Sequence, residues 1–261
     1  MKILVPIKYT IDTSQLKFDS STKEPLVEAC PKGMGDCDKR AVEEAVRIKE
    51  KLGAKVVVAS IIKDKSALRV IRDAYAMGVD EGYAIYHENA ELLDSITIAK
   101  ILSKLAIATG PYDLIITGIA SSDTHSATLG PALASFLDIP VIVGADNLEL
   151  ASNGKVVARC MMEDGTYTFE VKPPVLVTVT TEINEPRIPT LKDILKSKRV
   201  PINEVRVEDL GVELPRPPLE VLEVKRYEVP RKRTIIDATD LSKIDENIDL
   251  LVKILKDEGV I

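Results

Sequence analysis

A run of small and hydroxyl residues lies where a predicted strand passes into a predicted helix, in the segment Gly118-Ile-Ala-Ser-Ser-Asp-Thr-His-Ser-Ala-Thr-Leu-Gly130. Such a turn exposes backbone N–H groups, and the dipole of the following helix adds about half a positive charge. Together these features favour a phosphate group, to which the Ser126 and Thr128 hydroxyls can donate hydrogen bonds. The alternative is ordinary capping of the helix by residues of the same segment. The segment matches neither a Walker A loop nor the glycine motif of dinucleotide-binding folds.

Further polar residues are predicted to reach the same edge of a sheet. Pro6, Lys8, Asp12 and Thr13 follow the short apolar strand Ile3–Ile7, and ligands of parallel sheets lie at the carboxyl ends of the strands. The Lys8 ammonium can balance the charge of a phosphate there. The alternative is a solvated lysine at a strand end, since most lysines are exposed.

Gly35, Asp36, Cys37 and Asp38 precede a helix that is predicted to begin near Arg40. Acidic residues in a first helical turn are stabilised by the helix dipole, so a structural role accounts for them.

No combination of catalytic groups is evident in the sequence. His125 stands beside hydroxyl and acidic residues within one turn, and neighbours in a turn do not form a triad. Paired acid and base carboxylates are not evident either. Cys30, Cys37 and Cys160 are odd in number and widely spaced, so the sequence predicts reduced cytoplasmic thiols and no metal site.

The loop Ile183-Asn184-Glu185-Pro186-Arg187 connects an apolar strand to a predicted helix, Leu191–Lys198. Pro186 and Pro189 fix φ at about −65° and disfavour helical geometry in the residues before them, so an extended, stiff loop is expected. It ends at Thr190, which can cap the helix. A stiff loop with an apolar residue suits recognition of another protein, and a plain connector with a surface ion pair is the alternative.

Alternating apolar strands and amphipathic helices position these residues. Five strand–helix units precede residue 145 and end with a helix at Ala127–Leu137 and a strand at Val141–Val143. Their continuously apolar strands indicate a mostly parallel sheet buried on both faces. Right-handed crossovers make this a doubly wound α/β fold. Later, predicted antiparallel strands joined by Asn-Gly and Asp-Gly turns add β-hairpins: Asn147–Ala151, Val156–Met162 and Tyr167–Val171.

The C-terminal part is predicted to be an appendage. Residues 200–235 are rich in proline and charge and indicate an extended arm, and the tail Asp237–Gly259 ends in a helix with an apolar stripe. We therefore assign residues 1–200 to a nucleotide-binding α/β domain and residues 201–261 to an arm and amphipathic helix that pack on a partner subunit. Packing on its own domain is the alternative.

Composition excludes several classes of protein. The 261 residues, 45 % of them hydrophobic, can bury a large core. A net charge of −6 disfavours a nucleic-acid surface. The sequence contains no run of about 18 apolar residues, so no membrane span is predicted. The N-terminus has the pattern of a strand rather than a signal peptide, so a cytoplasmic location is predicted. Abundant Lys and Glu, with one glutamine and no tryptophan, indicate a thermophilic source.

Several segments resemble the β subunit of electron transfer flavoproteins. The loop at 183–187 is similar to the Leu-Asn-Glu-Pro-Arg-Tyr signature of that family, and a basic run follows it. Ala41–Ala45, Ala76–Asp80 and Lys8–Thr13 resemble other family segments. The resemblance covers most of residues 1–200 and implies an α/β fold of the adenine nucleotide alpha hydrolase type.

The resemblance implies a heterodimer in which an α subunit carries most of an FAD site and this chain covers one face of the flavin. It implies that electrons pass from dehydrogenases through FAD to a quinone oxidoreductase or another redox acceptor. Residues 179–188 would then dock the dehydrogenases, with Ile183 as the apolar anchor. The residues implied for partner recognition are Ile183, Asn184, Glu185, Pro186 and Arg187.

The resemblance also implies an adenine nucleotide bound by this chain itself, with its phosphates on the loop that ends at Leu129. Cys37 replaces an aromatic residue that lies near the flavin in the family. The residues implied to bind cofactor are Pro6, Lys8, Asp12, Thr13, Gly35, Asp36, Cys37, Asp38, Ile62, Gly118, Ser121, Ser122, Asp123, Thr124, His125, Ser126, Ala127, Thr128 and Leu129.

The nucleotide is AMP in one branch of the family and a second FAD, reduced by NADH, in the electron-bifurcating branch. Asp12-Thr13, Asp38 and Asp94-Ser95 resemble the bifurcating branch, so the sequence favours a second FAD, with AMP as the alternative. A stand-alone ATP- or AMP-binding stress-type protein on the same fold is a rival. It would carry a Gly-x2-Gly-x9-Gly-Ser/Thr loop, and a nucleotide-dependent ligase or hydrolase would carry a Ser-Gly-Gly-x-Asp-Ser loop. Neither loop is present in the sequence.

Overall fold

The computed structural model describes residues 1–214, 221–227 and 233–261. They form two compact units, Met1–Val224 and Lys225–Ile261. The first unit contains a nine-stranded, mostly parallel sheet with helices on both faces, which confirms the predicted α/β class.

Strands and helices alternate through the first unit. The strands are β1 (Lys2–Pro6), β2 (Tyr9–Ile11), β3 (Lys32–Met34), β4 (Lys55–Ile62), β5 (Glu81–Tyr86), β6 (Leu114–Gly118), β7 (Val141–Leu150), β8 (Val156–Met162), β9 (Gly165–Val171), β10 (Val175–Val179) and β11 (Asn203–Arg206). The helices are α1 (Asp36–Leu52), α2 (Leu68–Met77), α3 (Ser95–Thr109), α4 (Leu129–Leu137), α5 (Leu191–Ser197) and, in the second unit, α6 (Ile244–Asp257).

The strand order in the large sheet is β11-β5-β4-β1-β6-β10-β7-β8-β9. Neighbouring strands from β11 to β7 are parallel, and β7, β8 and β9 are antiparallel. Helices α1 and α2 bury their apolar residues on one face of the sheet, and α3 and α4 bury theirs on the other. The order reverses between β1 and β6, so the carboxyl ends of these two strands form the topological switch point. No helix among the described residues has both the length and the apolar character needed to cross a membrane.

Two helices begin at other residues than the sequence indicated. Helix α1 begins at Asp36 rather than near Arg40, with Gly35 as its extended N-cap. Helix α4 begins at Leu129 rather than Ala127, because Ala127 has a φ of 53°, which a right-handed helix does not accept.

The strands after residue 140 also differ from the prediction. A single strand, β7, replaces the separate strands that were predicted at Val141–Val143 and Asn147–Ala151. Gly144 has a φ of 78°, and the pairing with β8 shifts between Ala145 and Asn147. A bulge of this kind lets one strand continue from the parallel part of the sheet into the antiparallel part.

Residues 203–206, which were predicted to belong to the extended arm, form β11. This strand pairs in parallel with β5 and covers an edge that would otherwise be open, while Val207 behind it is 1 % exposed. Other prolines of the predicted arm lie outside the described residues: Pro215, Pro217, Pro218 and Pro230.

A small antiparallel sheet of β2 and β3 was not predicted. It pairs Tyr9 with Met34 and Ile11 with Lys32, and so connects the end of β1 to the start of α1. Three-residue strands are too short to show a hydrophobic period in the sequence.

Candidate functional site

Three segments that the sequence separates widely meet at the carboxyl ends of β1 and β6. The backbone N–H of Lys8, just after β1, donates to Asp38 Oδ2 in the first turn of α1 at 2.7 Å. The Lys8 Nζ pairs with Asp123 Oδ2, in the loop after β6, at 2.7 Å. The structure therefore brings three of the predicted cofactor-binding residues together at the switch point.

A glycine lets α1 approach the end of β6 closely. A Cβ added to Gly118 would lie 2.6 Å from the Cys37 Cβ, closer than real Cβ atoms come, and 3.0 Å from Asp38 Oδ1, which is a very tight contact. Gly118 thus sets the contact between the loop at 118–128 and the first turn of α1. Burial raises the pKa of the Cys37 thiol in this contact, so that thiol is protonated at neutral pH.

The two carboxyl groups beside Lys8 have opposite pKa shifts. Burial raises the pKa of Asp38 to about 7, and the charge of Asp123 acts in the same direction, against the Lys8 hydrogen bond and charge. Burial also acts to raise the pKa of Asp123, but hydrogen bonds from Lys8 and Ser121 outweigh it and lower that pKa. Near neutral pH, Asp123 is therefore ionised and paired with Lys8, while Asp38 is partly protonated.

The loop at 118–128 presents hydroxyl groups beside the first turns of two helices. Ser126 Oγ lies 2.8 Å from Ser95 Oγ at the start of α3, and Thr128 Oγ1 donates to Ser126 Oγ at 3.4 Å. His125 and Ala127 on either side of Ser126 have positive φ values of 48° and 53°. Strained backbone of this kind persists where surrounding structure holds it and is common at ligand sites.

These groups fit a phosphate group. The loop supplies hydroxyl donors, Lys8 supplies a positive charge, and the first N–H groups of α4 have no acceptor within the helix. Thr10, which lies beside Gly35, is 4 % exposed, and its Oγ1 has no partner among the described residues. A buried hydroxyl without a protein partner is usually satisfied by a bound group or water.

Other predicted cofactor-binding residues lie in or beside this site in different ways. Pro6 is the last residue of β1, and Ile62, the last residue of β4, is 1 % exposed, so its side chain belongs to the core. Asp12 caps the short turn Thr13–Gln15, and hydrogen bonds from that turn lower its pKa. Asp36 is exposed and pairs with Lys39. Among the described residues, no cluster of His, Cys, Asp and Glu is arranged to hold a metal ion.

The loop at 183–187 lies against α1, which it contacts at Arg40, Glu43, Glu44 and Glu50. Ile183, the predicted anchor, is only partly exposed and packs on the core. Ile188 and Leu191, which were not predicted as anchors, are 93 % and 72 % exposed. The available signal was their position, since they are the apolar residues that flank Pro189 in an otherwise polar segment.

Comparison with known proteins covers both of these regions. The electron transfer flavoprotein domain family model matches residues 26–210. The electron transfer flavoprotein subunit beta of Thermoanaerobacterium thermosaccharolyticum is 37 % identical over 82 % of this chain and 81 % of that protein. The proteins of the same description from Bradyrhizobium diazoefficiens and Homo sapiens are 33 % and 32 % identical, the first over 100 % of both chains and the second over 99 % and 98 %. This chain therefore belongs to the family of electron transfer flavoprotein beta subunits.

Proposed function

We propose that this chain pairs with an α subunit in a heterodimer that passes electrons from dehydrogenases, through FAD, to a quinone-linked or other redox acceptor. The family membership supports the electron-transfer role, and the observation that carries the proposal is the phosphate-type site at the ends of β1 and β6. FAD, when bound, accepts and releases the electrons. The residues of this chain bind and orient nucleotide and partner.

The loop at 118–128, Lys8 and the first turn of α1 would hold an adenine nucleotide in this chain. Lys8 supplies positive charge, and Ser126 and Thr128 supply hydroxyl donors. Asp38, partly protonated near pH 7, can both donate and accept a hydrogen bond. The donor set is therefore suited to a phosphate and the polar groups next to it.

The nucleotide that we propose is a second FAD, which makes NADH a donor and the complex electron-bifurcating; AMP is the alternative. Asp94 and Ser95 are among the residues that resemble the bifurcating branch, and Ser95 contacts Ser126 directly. This contact supports their place in the same site.

We propose that dehydrogenases dock on the segment 183–191, called the docking loop below. Ile188 and Leu191 offer exposed apolar side chains, and lysines at 192 and 196 in the following helix add positive charge. Apolar anchors surrounded by polar residues are typical of protein interfaces.

The nucleotide is tested by acid release and chromatography from this chain co-purified with its α subunit. Two FAD per heterodimer would establish the bifurcating form, and one FAD with one AMP would establish a structural nucleotide. An α-bound FAD with no nucleotide in this chain would overturn the proposed site.

The docking loop is tested by stopped-flow reduction of the FAD in the heterodimer by a dehydrogenase that reduces the wild-type complex. Ile188→Ala and Leu191→Ala are expected to slow reduction at low complex concentration and to leave nucleotide content unchanged. Ile183→Ala, in contrast, is expected chiefly to lower the free energy of unfolding, because Ile183 packs on the core. Wild-type rates in the Ile188 and Leu191 variants would remove the docking proposal.

A further inference from the structure

The polar side chain at the start of the docking loop points inward, toward α1. Asn184 is 9 % exposed, and its Nδ2 donates to Glu44 Oε2 at 3.0 Å and to the Arg40 carbonyl oxygen at 3.1 Å. A buried amide with two acceptors on a neighbouring helix is held in one orientation. Asn184 is therefore turned away from any docking partner.

Arg187 ties the loop to the same helix a second time. Its Nε donates to Glu43 Oε2 at 2.8 Å, and its Nη1 donates to Glu50 Oε1 at 2.6 Å. The Arg187 backbone N–H also donates to Glu43 Oε2, at 3.1 Å. A guanidinium that bridges two carboxylates fixes direction as well as charge, and a lysine ammonium cannot reproduce the fork.

Glu43 is the centre of this arrangement. It is 3 % exposed, and Arg47, one turn along α1, donates to its Oε1 at 2.7 Å. Burial alone would raise the pKa of Glu43, but hydrogen bonds from Arg187 and Arg47 outweigh burial and lower it. Removal of one partner from a buried, ionised group is strongly unfavourable. Separating the loop from α1 would therefore cost a large free energy.

Because Asn184 and Arg187 fix the docking loop on α1, its apolar residues are held facing the solvent. Ile188 follows Arg187 directly, and Leu191 is the first residue of α5, which Thr190 and Asp193 cap reciprocally. Ile188 therefore lies between two fixed points, the Arg187 fork and the capped helix, and Leu191 is held at the start of that helix. A surface fixed in advance loses less conformational entropy on binding.

We propose that Glu43, Glu44, Asn184 and Arg187, the α1 clamp, are positioning residues that hold Ile188 and Leu191 outward for docking. The Asn-Glu-Pro-Arg motif then acts by fixing the loop on α1, and its Asn and Arg side chains do not touch the dehydrogenase. This inference rests on the proposed docking function of the loop.

The test uses the heterodimer carrying Arg187→Met or Arg187→Lys. Arg69→Met is the matched control, because it removes an exposed pair with Asp73 on α2, which is not part of the clamp. We expect Arg187→Met to raise the KM for the complex about tenfold, equivalent to about 1.4 kcal/mol, with kcat and nucleotide content unchanged. Arg187→Lys should give an intermediate KM, and Arg69→Met the wild-type value. Hydrogen exchange of the amides at 183–191 should accelerate in the same order.

The outcomes separate the clamp from the docking proposal. Wild-type KM and wild-type amide exchange in both Arg187 variants would overturn the clamp. If Ile188→Ala and Leu191→Ala raise KM while the Arg187 variants do not, docking stands and the clamp fails. If all four variants keep the wild-type KM, docking itself fails. Should Arg187→Met not fold, Arg187→Lys, which keeps the charge and loses the fork, decides between these outcomes.

Discussion

Ionisation of the Asp38 carboxyl group, in the proposed nucleotide site, makes the stability of the chain depend on pH. Its pKa is raised from 3.8 to about 7 in the folded chain, chiefly by burial. Between these two pH values the folded state binds more protons than the unfolded state, so stability falls as pH rises from about 4 to about 7. Asp38→Asn keeps an acceptor for the Lys8 N–H and removes the ionisation. We expect its free energy of unfolding to exceed that of the wild type by about 1–3 kcal/mol at pH 8, and by less at pH 5, where the wild type has lost only part of that stability.

The measurement is the denaturant midpoint of the nucleotide-depleted heterodimer at both pH values. Asp36→Asn is the control, because Asp36 lies in the same helical turn but is exposed and paired with Lys39. Its effect should stay within a few tenths of a kcal/mol. An Asp38→Asn variant with the pH dependence of the wild type would contradict the buried-carboxyl explanation.

Helix α4, which follows the phosphate-type loop, is positioned by a close contact with β10. A Cβ on Gly130 would lie 2.3 Å from the Thr178 Cγ2, so Gly130→Ala must push the start of α4 away from the sheet. We expect a loss of about 2–3 kcal/mol in stability and weaker retention of the nucleotide in the loop at 118–128. Thermal unfolding and nucleotide content measure the two effects.

The sign of the stability change in Gly130→Ala distinguishes two opposing effects. Helix propensity alone favours alanine over glycine by about 1 kcal/mol, so a stabilised variant would show that the contact with β10 does not restrain the helix. Gly33→Ala serves as the control, since nothing lies within 4 Å of a Cβ at Gly33.

Helix α5 depends on its first residues, because it is a seven-residue helix with only Ser197 buried. The Thr190 side chain accepts from the Asp193 N–H, and the Asp193 side chain accepts from the Thr190 N–H. Thr190→Ala is expected to lower the free energy of unfolding by about 1 kcal/mol, whereas Thr190→Ser should retain most of it. Equal chemical-denaturation midpoints for the two variants would exclude the capping role.

The same elements show how far the sequence could predict this structure. Apolar runs such as that of β4 and the helical spacing of α1 identified the parallel sheet and its helices, and the rule for strand ends placed Lys8 and Asp123 together. The exposed apolar residue of the docking loop could not be predicted in the same way. Whether Ile183 or Ile188 faces solvent depends on Glu43, which is about 140 residues away in the chain, and no local pattern carries that information.

The division of the whole molecule at Val224 and Lys225 leads to the last prediction. Among the described residues, the members of both hydrophobic core clusters precede residue 215, so a chain truncated after Val224 should fold with nearly unchanged stability. Helix α6 has apolar residues at Ile244, Ile248 and Leu251, the spacing of one helical face. If this face packs on the α subunit, truncation should weaken the heterodimer at least about tenfold.

Sedimentation of the truncated chain with the α subunit measures that loss. In the full chain, Leu251→Asp on the apolar face should reproduce it, and Lys253→Asp, which lies off that face, should not. A truncated chain that binds the α subunit like the full chain would contradict the tether. A truncated chain that no longer folds would instead show that the second unit packs on its own first unit, because the cores before residue 215 would then be insufficient by themselves.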